Sequence, residues 1–373
     1  MELYREDESV VRRYAAHLDG IDPDVLRRVS LREGARIVRL PSYRQVGIDV
    51  LDLSTLSTTG TFKDWVACVA VARAVRDGHT VAAAQSSGNT ANALATYASR
   101  AGIRLVALHP PASRRRIHPR LARHPRVTFV EVRAPEHEIK EILRAATQAT
   151  GTPALPLLRD QYEGNKLRAH FLRDAERAVG HGWDWHVQAL SSAYGPLGFY
   201  RGLAEAYPAG QRAVPRFLGV QQEAVTPYVH ALTDAVADPG AAMLEPTLFR
   251  KVLTPELIAQ VRDVCDRTGG TVRCLPNDRY LSREPQAIEL LSGVGIEVTP
   301  GPDGQPVERA GLYSLTGTLQ AIDDGTIPPG ARALAVYTGG SGPAPEPYVP
   351  RHAVTPEDAT DLLKGLLTRG SPT

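Results

Sequence analysis

Between Gly60 and Gly151 the chain alternates short apolar runs with runs of helical periodicity, and each helical run closes on a glycine. This alternation constrains the fold more than any other feature. "TFKDWVACVAVARAVRDG" carries apolar residues at helical spacing and stops at Gly78. "GNTANALATYASRAG" stops at Gly102, and "PEHEIKEILRAATQATG" has Pro135 near its start and stops at Gly151. Between them "TVAAAQ", "IRLVALHP" and "RVTFVEV" read as strands. Strands separated by helices of this length predict a parallel sheet with helices on its faces, because a parallel neighbour needs a crossover connection.

The second half continues in this style with longer connections. "HVQALSS" and "RFLGVQQ" read as strands with the helix "FYRGLAEAYPAG" between them. "TPELIAQVRDVCDRTGG" is a helix with Thr254 as N-cap and Pro255 at its first position. "ARALAVYTGG" is a buried strand running into glycines. The Pro-rich "GPAPEPYVPRH" reads as a surface loop before a short helix in "EDATDLLKGLL". A chain of 373 residues can bury two cores, and no internal repeat appears. The expected class is α/β: two three-layer α/β domains with mostly parallel sheets and a cleft between them. Residues 1–60 are expected to begin a larger domain, 61–155 to form a smaller one, and 156–373 to complete the larger.

Composition serves mainly to exclude. With 43 Lys and Arg against 41 Asp and Glu, the formal charge is +2, which gives no reason to expect nucleic acid or a membrane surface as partner. No run is long enough to cross a bilayer, and "MELYREDESVVRRY" has no apolar signal core, so a cytoplasmic location is expected. Cys68, Cys265 and Cys274 form no CxxC pair. The basic run "SRRRIHPRLARHPR" lacks aromatic interleaving and reads as a solvated connection. His109, His118 and His124 match no metal template, and no metal is expected.

Five of the basic residues are lysines, and Lys63 sits where the Gly/Thr-rich turn "LSTTGT" becomes an apolar helix. A helix N-terminus disfavours a protonated amine, and a lysine that loses its proton is suited to a Schiff base. A solvated lysine in a first helical turn accounts for the same stretch. "SSGNT" follows a strand and opens a helix; Ser86, Ser87, Asn89 and Thr90 surround N–H groups that could cradle a carboxylate or simply cap the helix. "SSAYG", from Ser191 to Gly195, is again strand, loop, helix, and could hold a phosphate or be only a tight turn. "VYTGGSG" ends a strand with Thr338 beside glycines that permit close approach of a ligand. Ligands in open α/β sheets bind at the C-terminal ends of strands, where three of these four loops fall.

Together and in this order, the four segments resemble the pyridoxal-phosphate enzymes of fold type II, the tryptophan synthase β-subunit superfamily, and among them threonine synthase most. The family's "PTGSFKD" is matched by Thr59-Gly60-Thr61-Phe62-Lys63-Asp64, and its "TGNTSASAAAYAARAG" by "SSGNTANALATYASRAG". Its "RLEGQKT" is similar to "QYEGNKLRAHF" here. The likeness continues through "RFLGVQQEAVTPYVHAL" to "TGG", about residues 30 to 342.

The resemblance implies pyridoxal 5′-phosphate in the interdomain cleft, held as an internal aldimine by Lys63, which would also move the substrate's α-proton. It implies Asn89 at the cofactor's 3′-oxygen, and Ser86, Ser87, Asn89 and Thr90 around the α-carboxylate of a small amino acid. Ser191, Ser192, Ala193, Tyr194 and Gly195 would hold the cofactor phosphate, and Thr338 would face the pyridine nitrogen. A hydroxyl there cannot keep the ring protonated as a carboxylate would; the weaker electron sink suits elimination and replacement at the β or γ carbon. The resemblance also implies a homodimer.

The chain departs from the family in several places. "REGARIVRL" puts Arg36 near the threonine of "EGGTPL", and Asp52 and Ser54 fall where the family has "K-x-E". Ser57-Thr58 replaces Asn-Pro, and Tyr194 is bulky in a loop that is glycine-rich in relatives. Threonine synthase's O-phosphohomoserine therefore stands beside two alternatives. One is a cysteate- or cysteine-synthase-like β-replacement on O-phosphoserine. The other is a serine or threonine dehydratase, whose "SFK-x-R" differs from Lys63-Asp64. A non-catalytic relative kept as a binding protein is disfavoured by the joint presence of Lys63, Asn89 and Thr338. A nucleotide-binding α/β protein is disfavoured by the lack of a Gly-x-Gly-x-x-Gly turn or Walker loop. Lys166 in "EGNK" is open between a cleft lysine and a surface ion pair.

Overall fold

Strands and helices alternate along most of the chain in the computed structural model, which describes residues 1–32, 34–56, 58–86, 88–207, 214–235, 238, 240–301, 304–340 and 347–368. Among these residues the strands are β1 (Glu2–Glu6), β2 (Ala35–Arg39), β3 (Gly47–Asp52), β4 (Val81–Gln85), β5 (Arg104–His109), β6 (Val127–Val132), β7 (Ala154–Leu155), β8 (Trp185–Ala189), β9 (Arg216–Gln222), β10 (Thr271–Leu275), β11 (Arg332–Tyr337) and β12 (His352–Val354). The chain divides into two units. One comprises Met1–Asp7, Glu33–Thr55 and Asn165–Gly339; the other comprises Glu8–Arg32, Leu56–Gly164 and Gly340–Thr373.

In the unit built on Leu56–Gly164 the sheet order is β12-β6-β5-β4-β7, with every pairing parallel. Ala83, Val106, Leu108, Val130 and Val132 share one face and pack with Ile139 and Ile142 of the helix Glu136–Thr150 and Leu363 of the helix Pro356–Thr368. The two-residue period of a strand turns Leu105 and Ala107 to the other face. There the helix Asn89–Ala101 packs on β5 and against the helix Lys63–Arg76. Every residue of that second helix from Asp64 to Ala74 is buried, which its Ala, Val and Cys content permits. A third helix, Leu158–Val179, meets it at backbone distance: a Cβ on Gly164 would lie 2.6 Å from Val66 Cα.

In the other unit the order is β1-β2-β3-β11-β8-β9-β10. The β1–β2 and β2–β3 pairs are antiparallel, and the rest are parallel. Val50, Val187, Val220 and Ala335 pack on one side with Tyr280, Leu312 and Leu319 of the helices Asn277–Ser292 and Ala310–Asp323. His186 and Phe217 face the opposite side, stack on each other and meet Phe199 and Tyr200 of the helix Tyr194–Ala206 at tilted or edge-on angles. Each unit is thus a mostly parallel sheet with helices on both faces, as the sequence pattern predicts. The antiparallel edge β1–β2–β3 is an addition to that pattern. Among the described residues no helix is long and apolar enough to cross a membrane.

Candidate functional site

The Lys63 turn is held by a closed run of hydrogen bonds. Gly60 has φ 59°, a left-handed conformation that suits glycine, and it reverses the chain so that Thr59 and Thr61 face the coming helix. The Lys63 backbone N–H donates to Thr61 Oγ1 at 3.1 Å, and Thr61 Oγ1 lies 2.9 Å from Thr59 Oγ1. Thr59 gives both its hydroxyl, at 2.8 Å, and its N–H, at 3.0 Å, to Asp64 Oδ2. An ionised carboxylate only accepts, so the chain of donors runs from Lys63 through the two threonines to Asp64. Asp64 is fully buried, and burial pushes its pKa up to about 6 against the lowering effect of the hydrogen bonds from Thr59. The Lys63 side chain is half-buried, with Nζ 4.8 Å from the centre of the Phe62 ring, within cation–π range.

Asn89 opens the neighbouring helix, directly after β4 and its loop. Ser86 Oγ accepts from the N–H groups of Gly88 at 3.3 Å and Ala91 at 3.2 Å, so its oxygen fixes the loop as a cap would. Asn89 and Thr90 are half-buried in the first turn; Ser57 and Ser87 lie outside the described residues. Lys63 and Asn89 therefore begin two helices that pack together in one unit.

Ser191, Ser192 and Ala193 lead from β8 into the helix Tyr194–Ala206, whose first residues are Tyr194 and Gly195. Ala193 takes φ 60°, a left-handed conformation uncommon for a residue that carries a Cβ, and Ser192 O accepts from Tyr228 Oη at 3.3 Å. The amides of a first helical turn lack intrahelical partners and favour an anion. Beneath the loop lies a residue that sequence reasoning missed. Arg168 is fully buried, donates to Gln188 Oε1 at 3.1 Å and to the Gly195 carbonyl, and stands 5.5 Å from the Phe199 ring. Burial pushes its pKa down to about 9. Lys166, on the same helix, is also buried, and it pairs at 3.2 Å with Glu205, whose side chain is exposed, so the pair reaches the surface.

Thr338 follows β11, the sheet neighbour of β8, so the Ser191–Gly195 loop and Thr338 lie at the same C-terminal edge of one sheet. Thr338 is buried, and its hydroxyl donates to the buried carboxylate of Glu308 at 3.2 Å. A Cβ on Gly311 would lie 2.6 Å from Thr338 N, and one on Gly339 would lie 2.8 Å from Ser54 Cβ. Arg36, Asp52 and Ser54, three departures from the family pattern, bond to one another beside this edge. Arg36 Nε donates to Asp52 Oδ2 at 2.7 Å, and Ser54 Oγ donates to Asp52 Oδ1 at 2.6 Å. Burial, with Asp52 and Glu308 nearby, raises the pKa of the Tyr337 hydroxyl.

The basic run is tied to its surroundings at several points. Arg114 pairs with the buried Glu131, and Asn92 ties the segment down by donating to Arg116 O at 2.7 Å and accepting from His118 N–H at 3.1 Å. His118 and His124 accept from the backbone N–H groups of Arg120 and Arg126, each at 3.2 Å, while His109 is buried against Tyr348. Among the described residues no group of three or more His, Cys, Asp or Glu could hold a metal ion.

Comparison with known proteins gives this geometry a context. The family model described as pyridoxal-phosphate dependent enzyme matches residues 33–283. Threonine synthase of Mycobacterium tuberculosis is 26% identical over 319 residues, covering 83% of this chain and 82% of its own. The processed form of threonine deaminase isoform 2 from Solanum lycopersicum superposes with a TM-score of 0.56 at 12% identity, over 88% of this chain and 89% of that one. Maize serine racemase gives 0.61 at 13% identity, over 90% and 96%. At such identities the solved structures establish the fold alone.

Proposed function

The chain belongs to the family of pyridoxal-phosphate dependent enzymes, and from that premise we propose that it catalyses elimination or replacement at the β or γ carbon of a small, O-phosphorylated amino acid. The cofactor, when bound, supplies an electron sink for the pair left at the substrate's α carbon. The chain's own residues divide the remaining work. Lys63 holds the cofactor and takes and returns the α-proton. Asn89 orients the ring through its 3′-oxygen. Ser86, Ser87 and Thr90, with Asn89 and the amides of their loop, take the substrate carboxylate. The hydroxyls of Ser191 and Ser192, with the amides from Ala193 to Gly195, take the cofactor phosphate, and Thr338 faces the ring nitrogen.

The donor set suits such a group: an amine, two helix starts rich in hydroxyls, and a buried hydroxyl at a strand end. The observation that carries the reading is the Lys63 turn. A lysine stands half-buried at the head of a helix buried from Asp64 to Ala74, and its backbone is fixed by the run through Thr61 and Thr59 to Asp64. A surface lysine needs no such framing. The choice of a phosphorylated substrate rests on the likeness to threonine synthase.

The test is a visible absorption titration of protein loaded with pyridoxal phosphate, using O-phosphohomoserine and then O-phosphoserine, with release of inorganic phosphate as the second readout. A band that shifts with one compound, together with phosphate release, is expected. A band that neither compound moves overturns the phosphorylated-substrate reading. Absence of any band on loading overturns the catalytic reading itself.

A further inference from the structure

The hydrogen bond from Thr338 to Glu308 changes what can stand at the pyridine nitrogen. Both side chains are buried, at 5% and 7% exposure, and the Thr338 hydroxyl donates to Glu308 Oε1 at 3.2 Å. A hydroxyl has one proton to give. With that proton committed to a carboxylate, the Thr338 oxygen offers a further partner only lone pairs. Opposite a bare ring nitrogen it would set acceptor against acceptor; opposite a protonated one it would complete a hydrogen bond.

We propose that Glu308 is a positioning residue that acts through Thr338 to keep the cofactor's ring nitrogen protonated, a role that rests on the placement of Thr338 under the proposed function. The carboxylate stands one hydroxyl behind the place proposed for the nitrogen, in a buried setting of low dielectric. The ring is then a stronger electron sink than a lone hydroxyl would allow, contrary to what the threonine alone suggests.

Among the described residues, the surroundings hold the pair in place and engage several nearby charges. Helix Ala310–Asp323 begins two residues after Glu308, and its Gly311 presses on the Thr338 backbone so closely that a Cβ would lie 2.6 Å from Thr338 N. Arg309 turns its guanidinium to Glu284 at 2.8 Å, and its N–H donates to Glu245. Asp52 is paired with Arg36 at 2.7 Å, and the Tyr337 hydroxyl is held neutral by burial beside Asp52 and Glu308.

The test loads the full chain with pyridoxal phosphate labelled with nitrogen-15 in the ring and reads that nucleus by NMR, which reports protonation directly. In the wild type the resonance is expected at the protonated position through neutral pH. Glu308→Gln, which keeps an acceptor for Thr338 but removes the charge, is expected to move it toward the unprotonated position while the visible band of the Lys63-bound cofactor persists. Thr338→Val, which removes the hydroxyl and keeps the shape, is expected to move it the same way, and Glu308→Asp to restore it in part. A wild-type resonance at the unprotonated position, with the visible band present, overturns the proposal and leaves the proposed function standing; this reading needs no variant to fold. A protonated wild type whose resonance neither variant moves assigns the proton to another group and equally overturns it. A wild type that forms no band overturns the proposed function, and this proposal with it.

Discussion

Replacing Asp64 by asparagine should flatten a specific part of the protein's pH-dependent stability. Asp64 is fully buried, and its pKa stands at about 6 against an ordinary 3.8. Between these two values the native state binds more protons at this site than the unfolded chain does. Stability contributed here is therefore fully present below the unfolded value and falls as pH rises through the folded one. At 1.36 kcal/mol per pKa unit, the full loss is about 3 kcal/mol, of which about 2 to 3 kcal/mol falls between about pH 4 and pH 7. The side chain introduced by Asp64→Asn cannot titrate, yet its amide oxygen can still accept from the Thr59 N–H and hydroxyl. The assay is urea unfolding of both proteins, freed of cofactor, at a series of pH values. Tryptophan fluorescence serves as the probe because Trp65 is fully buried beside the site. The wild type should lose about 2 to 3 kcal/mol relative to the variant on going from about pH 4 to about pH 7. A difference that stays flat across that range, or runs the other way, refutes the placement of a desolvated carboxylate behind Lys63.

Two further outcomes follow from packing and burial. Gly164→Ala puts a methyl group within 2.6 Å of Val66 Cα, where backbone rather than a flexible side chain must give way. It should destabilise by about 1–3 kcal/mol or more and reduce cofactor loading, because the displaced helix carries Lys63; unchanged melting and loading would contradict the close approach. His186 is fully buried among Phe199, Tyr200 and Phe217, with no hydrogen bond to either ring nitrogen among the described residues. Burial depresses its pKa, so the native state binds fewer protons than the unfolded chain and stability falls as pH drops below the ordinary 6.5. His186→Phe should stabilise by about 1–3 kcal/mol and lessen that acid sensitivity, which paired unfolding curves would check.

The parallel core was legible because its signals are local. Glycines at 102 and 151 end helices in the left-handed conformation, Thr254 caps the helix that starts at Pro255, and β4, β5, β6, β9 and β11 fall where apolar runs stand. The β2–β3 hairpin was not legible. Its turn puts Arg44 at φ 46° and Gln45 at φ 63°, where a sequence reader looks for Asn-Gly or Gly. The long helices Asn277–Ser292 and Ala310–Asp323 were not read although Gly293 and Gly325 follow their ends: the first has Pro285 inside it, and the second is buried almost all round.

The candidate site shows the same division. Motif and loop chemistry pointed to Lys63, Asn89 and Thr338, each at the start of a helix or the end of a strand. Asp64 stood in the matched motif without a role of its own, and Arg168 and Glu308 were invisible, because what makes them matter is burial and a partner that only the fold brings close. Glu308 is 30 residues from Thr338, and Arg168 is 27 from Gly195. Arg36, Asp52 and Ser54 read singly as losses of family features, yet in the fold they form one bonded group beside Thr338.

The central claim is that Lys63 carries the cofactor. Borohydride reduction of the loaded protein, followed by digestion and mass spectrometry, fixes pyridoxal phosphate to whichever amine holds it. The chain offers Lys63, Lys140, Lys166, Lys251 and Lys364. The account predicts the label on the peptide containing Lys63 and on none of the others. A label on another lysine, or a loaded protein that yields no labelled lysine, would contradict it.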